Sequence, residues 1–211
     1  GDLRKSAPDE HVAALAAASL RPDVMTPLAL YRLNRALNWT EFRQSTRSFH
    51  SPQQNISYAD IDGNTGFIAP GRVPVRKSGR GRQPVPGWTG AYDWTGFIPF
   101  DGLPQTHNPA SGRIVNANHR VVPRNYDWYL TDDWSPPYRA RRIHDLLDGP
   151  EPHTMQRSSN LQNDTVSLAA RDLVPVLLGL LSARTERKEA IAARLRSWDG
   201  KMSRNAAEPL I

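Results

Sequence analysis

The sequence predicts an α+β fold, and three observations predict it. Apolar residues recur at helical spacing through the N-terminal third, alternating runs and Pro/Gly-rich turns fill the middle, and helical spacing returns at the end. Strands grouped between runs of helices belong to α+β folds rather than to a doubly wound sheet. The chain has 211 residues, of which 38% are hydrophobic, so it is one domain's worth or slightly more and can bury a core.

Asp9–Leu20 is Ala-rich, with Val12, Leu15 and Leu20 as apolar anchors, and reads as a helix. Thr26 before Pro27 gives an N-cap followed by proline at the first helical position. Leu28, Leu30, Tyr31, Leu33 and Leu37 supply that helix with an apolar face. Asn38 or Thr40 caps a short helix carrying Trp39 and Phe42. Asn55–Asp60 alternates, Asp62-Gly63 follows, and Thr65–Ala69 alternates again, which is the pattern of a hairpin whose turn residues tolerate positive φ. Residues 70–110 form a long loop holding Trp88, Trp94 and several prolines with little periodicity, and such loops are functional or packed by their own aromatics. Arg113–Asn118 reads as a strand.

Helices then resume. Ser135 caps a helix opened by Pro136 and Pro137, with Ile143, Leu146 and Leu147 facing inward. Asn163 or Asp164 caps another that runs from Val166 to Leu180, and Pro175 inside it predicts a kink or a break. Glu186–Trp198 is a last amphipathic helix.

Several classes are disfavoured. Leu173–Leu181, the longest apolar run with Gly allowed, has nine residues including a proline, whereas a membrane-spanning helix needs roughly 20. The opening residues hold no apolar stretch of the kind that marks a secretory signal. With no Cys there are no disulfides and no thiolate chemistry. The His residues do not pair at metal-ligand spacing. No phosphate-binding Gly-x-x-x-x-Gly-Lys run and no Gly-x-Ser-x-Gly elbow occurs, and Gly79-Arg80-Gly81 lies in a Pro-rich loop that opens no helix. The net charge is +6, but residues 71–83 alone contribute Arg72, Arg76, Lys77, Arg80 and Arg82 and no acid. That run reads as a solvated loop. With Trp88 and Trp94 it also suggests a competing class, a basic-loop module for single-stranded nucleic acid. A non-catalytic structural domain is the third class.

One segment carries chemistry. Asn108, Asn116 and Asn118 lie around a turn and an extended run, followed by His119 and Arg120. Side-chain amides donate hydrogen bonds, and a donor aimed at a developing oxyanion stabilises acyl transfer. The alternative is that these Asn residues satisfy loop backbone groups, as Asn commonly does.

Here the sequence resembles a known family. LNRALNWTEFR (33–43), YADIDGNTGFIAPGRVPVR (58–76), PVPGWTGAYDWTGFIPFDGLP (84–104), NPASGRIVNANHR (108–120), YRARRIHDLL (138–147), DTVSLAARDLVPVLL (164–178) and RSWDG (196–200) resemble, in order and spacing, the large chain of penicillin acylases. These are amide hydrolases of the N-terminal-nucleophile (Ntn) superfamily. The resemblance covers residues 25–200, leaving a helical lead-in over 1–24 and a tail over 201–211.

The resemblance implies a partial αββα Ntn architecture, with helices flanking a hairpin and a central strand beside the long Pro/Gly/Trp loop. It implies that a serine exposed by self-cleavage attacks an amide while its own α-amino group takes the proton. Such a group has an ordinary pKa of about 7.7 and acts as a base near neutrality. By match to the family pattern, Asn118 is the oxyanion donor and Arg139 a catalytic residue near the nucleophile. His119 and Arg120 stand at substrate-binding positions and depart from the penicillin G acylase pattern. The nucleophile itself finds no match, since Ser6, Ser19 and Ser45 lack its context. The chain is therefore expected to be an internal segment, inactive alone. Its expected partners are the rest of the acylase and an N-acyl amide substrate, with neither nucleic acid nor membrane. Self-association through exposed strand edges is a further expectation. No cofactor is expected in this chain, and a calcium ion would belong to the intact enzyme, with Asp127 the nearest candidate ligand here. The family also implies a bacterial periplasmic location.

Overall fold

The first layer of order is set by helix caps and short strand pairs. In the structure, a computed structural model, residues 11–149, 152–181 and 185–211 are described. They divide into two units: one runs through Ile114 and takes in Val121–Trp134, and the other comprises Val115–Arg120 and Ser135–Ile211.

In the first unit, α1 spans Thr26–Leu33 and α2 spans Trp39–Ser45. Met25, not Thr26, is the N-cap of α1. The Thr26 hydroxyl instead accepts from the His50 and Ser51 N–H groups, both at 3.1 Å, and donates to the Ser51 carbonyl at 2.9 Å. Asn38 caps α2 as expected, accepting from the Glu41 N–H at 3.0 Å, while the Glu41 carboxylate returns to the Leu37 N–H at 3.0 Å. The Asn38 oxygen satisfies one orphan donor of the helix start, and the Glu41 carboxylate ties down the residue that precedes the cap. The expected apolar face of α1 is only partly used, since Ala29 is buried while Leu30 and Tyr31 are exposed. The expected helix over Asp9–Leu20 is absent from its described part, where only Ala18–Leu20 form a 3₁₀ turn and Val12 and Leu15 are exposed. A helix of about a dozen residues with nothing to pack against is marginal in water. Asp9 and Glu10 lie outside the described residues.

The hairpin forms where its pattern places it. Strand β1 (Ile56–Ala59) pairs antiparallel with β2 (Thr65–Ile68), Ile56 opposite Ile68 and Ala59 opposite Thr65. Its turn is wider than a two-residue Asp-Gly turn. The Asp60 carboxylate organises it, accepting from the N–H groups of Asp62 at 3.0 Å and Asn64 at 2.9 Å. Of the turn residues only Gly63 takes a positive φ, at 83°.

The expected loop over 70–110 contains strands. Here β3 (Pro74–Arg76) and β4 (Trp94–Phe97) form a two-stranded sheet, and β5 (Gln105–His107) pairs with β2 to complete a sheet ordered β1-β2-β5. The long segment thus covers one edge of the hairpin itself, which a solitary hairpin needs for stability. Strands of three or four residues between prolines are too short to show a period, so the pattern was not visible. Val73, Ile98 and Leu103 form a core with Val75, Phe100, Trp128 and Leu130 packed against it. A second cluster joins α2 to the sheet: Trp39 stacks on His107 at 4.8 Å and meets Phe42 and Tyr58.

The second unit is helical, with α3 (Tyr138–Leu147), α4 (Met155–Gln162), α5 (Leu168–Gly179) and α6 (Glu186–Ser197). Pro137 is the residue preceding α3, and Ser135 makes no cap there. Helix α4, capped by Thr154, was not expected. Ser167 caps α5 through the Ala170 N–H at 3.1 Å. The expected cap Asp164 instead receives Nε and Nη2 of Arg142 at 2.8 and 2.7 Å, tying α3 to the approach to α5. Helix α5 runs unbroken through Pro175; one lost N–H bond within a capped helix of this length does not end it. Helix α6 matches its expectation, with Ile191, Leu195 and Trp198 partly buried and Ala192 in the interior.

The expected strand Arg113–Asn118 does not form; its residues have no ladder partner. Asn118 lies in the left-handed region at φ 58°, which ends any extended run.

The ion pairs predict how stability depends on pH. The Arg72 guanidinium beside Asp23 holds its carboxyl at about 2, below the ordinary 3.8. Arg43 lowers Asp101, Arg80 lowers Asp132, Arg142 lowers Asp164, and hydrogen bonds from Tyr58 and Asn64 lower Asp60. Burial depresses His50 and His119 below 6.5. In every case the unfolded chain binds its proton first as pH falls, so stability is full above about pH 7. The melting temperature should decline gently below about pH 6.5 and steeply between about pH 4 and 2. A melting temperature constant from pH 7 to 3 would contradict this arrangement.

Candidate active site

Among the three amides that the sequence offered, Asn108 has both side-chain atoms engaged, Asn116 and Asn118 each keep Nδ2 without a hydrogen bond among the described residues, and of these two Asn118 is the exposed one. Asn108 is consumed in the first unit: its N–H donates to the Thr65 carbonyl at 2.8 Å, its Oδ1 accepts from the Thr65 N–H at 2.9 Å, and its Nδ2 donates to Asn64 at 2.8 Å. It ties the end of β5 to the hairpin. Asn116 Oδ1 accepts from the Asn118 N–H at 2.9 Å, closing a local turn. The general expectation that Asn serves loop backbone therefore holds for Asn108 and Asn116, and not for the side chain of Asn118.

Asn118 is held on several sides. Ala117 is buried and anchors the loop. Arg139, the second residue of α3, donates through Nη2 to the Ala117 carbonyl at 2.6 Å and to Asn118 Oδ1 at 3.4 Å. The Ser135 N–H donates to the Asn118 carbonyl at 2.9 Å. Pro136 and Pro137 then stiffen the chain leading into α3. Asn tolerates the left-handed conformation better than most residues, so the sequence suits the geometry.

This arrangement fixes which end of the amide faces outward. Arg139 can only donate, so the atom facing it is the carbonyl oxygen of the Asn118 amide. Nδ2 is then directed away from Arg139, and it makes no hydrogen bond among the described residues. Asn118 itself is exposed. An exposed N–H₂ donor on a clamped backbone, beside a guanidinium that adds positive potential, is suited to receive a negative oxygen. Asn118 was expected at the end of a central strand; it stands instead on a bend before α3.

The substrate-position residues divide. His119 is partly buried, its Nδ1 has no partner, and burial with nearby His144 lowers its pKa. A neutral ring follows at pH 7. Arg120 is exposed. Asp127 is a lone exposed carboxylate, and among the described residues no group of three His, Asp or Glu could hold a metal ion.

The basic run of the first unit is internally matched. Arg72 pairs with Asp23 at 2.8 Å, Lys77 with Asp93 at 3.5 Å, and Arg80 with Asp132 at 3.0 Å. Arg82 meets Asp132 at 3.4 Å and Asp133 at 3.6 Å, and Arg76 lies over the Trp94 ring. A cleft of about 500 Å³ runs between Arg76, Arg80, Arg82 and Tyr129, and of its cations Arg80 and Arg82 already face acids. A stripe of unmatched positive charge, which phosphate-backbone binding requires, is not what these residues form. Neither this cleft nor the smaller one beside Gln53 and Trp134 is lined by Asn118, His119, Arg120 or Arg139. Among the described residues, no helix is long and apolar enough to cross a membrane.

Comparison with known proteins shows the family of the chain. The penicillin amidase family profile matches residues 3–211. A penicillin acylase 2 proenzyme from Pseudomonas sp. (strain SE83) is 34% identical over 178 residues, which is 82% of this chain and 22% of that protein. An acyl-homoserine lactone acylase QuiP from Pseudomonas fluorescens (strain Pf0-1) is 31% identical over 196 residues, 87% of this chain and 24% of that protein. A thermostable penicillin G acylase from Alcaligenes faecalis superposes with a TM-score of 0.70 at 26% identity, over 87% of this chain and 34% of the other. The chain thus spans about a quarter or less of the length of these curated relatives.

Proposed function

Because the chain belongs to the penicillin amidase family, we propose that it is part of a longer N-acyl amide hydrolase and supplies its oxyanion donor. The mixed helix and sheet arrangement belongs, in this reading, to an αββα Ntn architecture completed by the rest of the protein. A serine at the N-terminus of the processed large chain, outside the residues assigned here, is the nucleophile. Its Oγ attacks the amide carbonyl while the α-amino group takes the hydroxyl proton, and the carbonyl oxygen becomes an oxyanion. Asn118 Nδ2–H donates to that oxygen. The intermediate collapses with the proton passing to the leaving amine, and water then releases the acid from the acyl-enzyme.

The observation that carries this reading is the exposed Nδ2 of Asn118, unengaged while its oxygen is turned to Arg139. Arg139 holds the donor in place, and His119 and Arg120 flank the acyl or amine group. The periplasm is the proposed location, and any calcium would draw on ligands elsewhere in the longer protein.

The test is expression of the complete polypeptide and of residues 1–211 separately. The complete enzyme is expected to release product from chromogenic N-acyl amides. A panel of β-lactam and N-acyl-homoserine lactone substrates would assign its specificity. The segment alone is expected to show no turnover. Burst release of product by the segment alone, or no amide hydrolysis by the processed complete enzyme, would overturn the proposal.

A further inference from the structure

We infer that Asn116 is a positioning residue for catalysis, one that sets the direction of the Asn118 donor through the Asn118 backbone. This rests on the role proposed for Asn118.

Asn118 occupies the left-handed region at φ 58°, and it is not a glycine. A residue in that region persists when its surroundings over-determine it, and such positions concentrate at functional sites. Here three groups hold it: the Asn116 Oδ1 on its N–H at 2.9 Å, the Ser135 N–H on its carbonyl at 2.9 Å, and Arg139 on the preceding carbonyl and on Oδ1. Two of these contacts fix the peptide planes on either side of the Asn118 Cα. Arg139 reaches the side chain at only 3.4 Å, a weak hydrogen bond that cannot by itself define the χ angles. The direction of the Cα–Cβ bond, and so of Nδ2, is therefore set by φ and ψ. Two side chains hold the peptide plane that sets φ, Arg139 through the Ala117 carbonyl and Asn116 through the Asn118 N–H, and of the two Asn116 is the one that engages Asn118's own backbone.

Without the Asn116 acceptor, the Asn118 N–H loses its partner, its peptide plane is held from the Ala117 carbonyl by Arg139 alone, and the residue is freer to relax toward the more favourable negative-φ regions. Its Cβ would then leave the loop in a different direction and carry Nδ2 with it. Misplacement of a catalytic group by about 1 Å can cost on the order of 10²-fold in rate. The ground-state carbonyl gains little from this donor, so the loss belongs to kcat rather than KM. An Asn two residues before the donor, Asn116-Ala117-Asn118, is the spacing at which a side-chain oxygen meets a backbone N–H two residues on.

The experiment uses the complete processed enzyme. Asn116→Ala is expected to lower kcat roughly 10- to 100-fold with KM changed less than about 2-fold. Asn116→Ser keeps an acceptor for the same N–H and should restore most of the rate. In the Asn116→Ala/Asn118→Ala enzyme, the first substitution should add nothing to the loss from the second, because its effect passes through the missing amide. A merely structural role would lower the melting temperature and multiply the rate loss in both backgrounds. Where Asn116→Ala does not fold, Asn116→Leu, close to Asn in shape and without an acceptor, is measured in its place. A folded, acceptor-less variant with kcat within about 2-fold of wild type overturns the inference, provided Asn118→Ala alone is strongly impaired. If Asn118→Ala is itself unimpaired, the proposed role of Asn118 has failed instead, and the inference falls with it. Equal multiplicative losses in the two backgrounds also overturn it.

Discussion

Replacing Asn118 by Ala in the complete enzyme is expected to lower kcat by roughly 10²–10³, or about 3–4 kcal/mol of transition-state stabilisation. Substrate binding should change far less, because a neutral carbonyl oxygen gains little from a donor that an oxyanion needs. The geometry allows backbone strain to be separated from loss of the amide. At φ 58° an alanine is disfavoured, whereas glycine adopts the conformation at no steric cost. Asn118→Gly should therefore lose the same kcat while disturbing the backbone less. An Asn118→Ala or Asn118→Gly enzyme with kcat within about 3-fold of wild type would remove Asn118 from the reaction. A rise in KM with kcat unchanged would make it a binding residue.

The largest expected effect on stability lies at Gly66 in the middle of β2. The Trp39 ring from α2 lies flat against this residue. A Cβ placed there would be 2.5 Å from Trp39 Cε3 and 2.9 Å from Cη2. The ring cannot retreat freely, since it is stacked on His107 at 4.8 Å and packed on Phe42 and Tyr58. Overpacking of this kind costs about 1–3 kcal/mol. That corresponds to a fall of several degrees in melting temperature for a chain of this size. Gly66→Ala should show it by thermal unfolding, and Gly66→Val more strongly. The cost should nearly vanish in a Trp39→Ala background, because the clash partner is gone. Equal costs in both backgrounds would place the effect in the strand backbone rather than in the ring contact.

Much of the secondary structure was legible because it is local. Asn38 followed by Glu41 is a helix start whose hydrogen bonds are contained in the five residues Leu37–Glu41, and it appears where the sequence places it. The hairpin was legible from alternation, but its turn was not, because the Asp60 carboxylate outweighs the Asp62-Gly63 preference. Strands β3, β4 and β5 were hidden by their length and by neighbouring prolines; their pairings are non-local and leave no period. Arg113–Asn118 failed for the opposite reason, since alternation describes a side-chain pattern and not the presence of an edge to pair with. Thr154, Ser167 and Thr185 cap α4, α5 and α6, whereas Asp164 caps none of them. Its carboxylate serves Arg142, a partner 22 residues away that spacing does not reveal.

The resemblance alone singles out Asn118 and Arg139 as candidate site residues. Composition could not choose among three similar amides. Hydrogen bonding removes Asn108, whose oxygen and nitrogen are both engaged, and exposure separates the other two: Asn116 is half-buried with its oxygen on the Asn118 N–H, and Asn118 is exposed. The basic run shows the reverse. Its charge was visible and its partners were not, because Asp23, Asp93, Asp132 and Asp133 come from elsewhere in the chain.

The most direct measurement is a crystal structure of the complete enzyme with its nucleophile trapped as a tetrahedral phosphonate adduct, in which a phosphoryl oxygen occupies the oxyanion position. The oxygen should lie about 2.7–3.1 Å from Asn118 Nδ2, with Asn118 still at positive φ and its Oδ1 toward Arg139. An adduct oxygen held wholly by other donors, with Asn118 Nδ2 turned into solvent or bonded to the protein, would contradict the role assigned to Asn118.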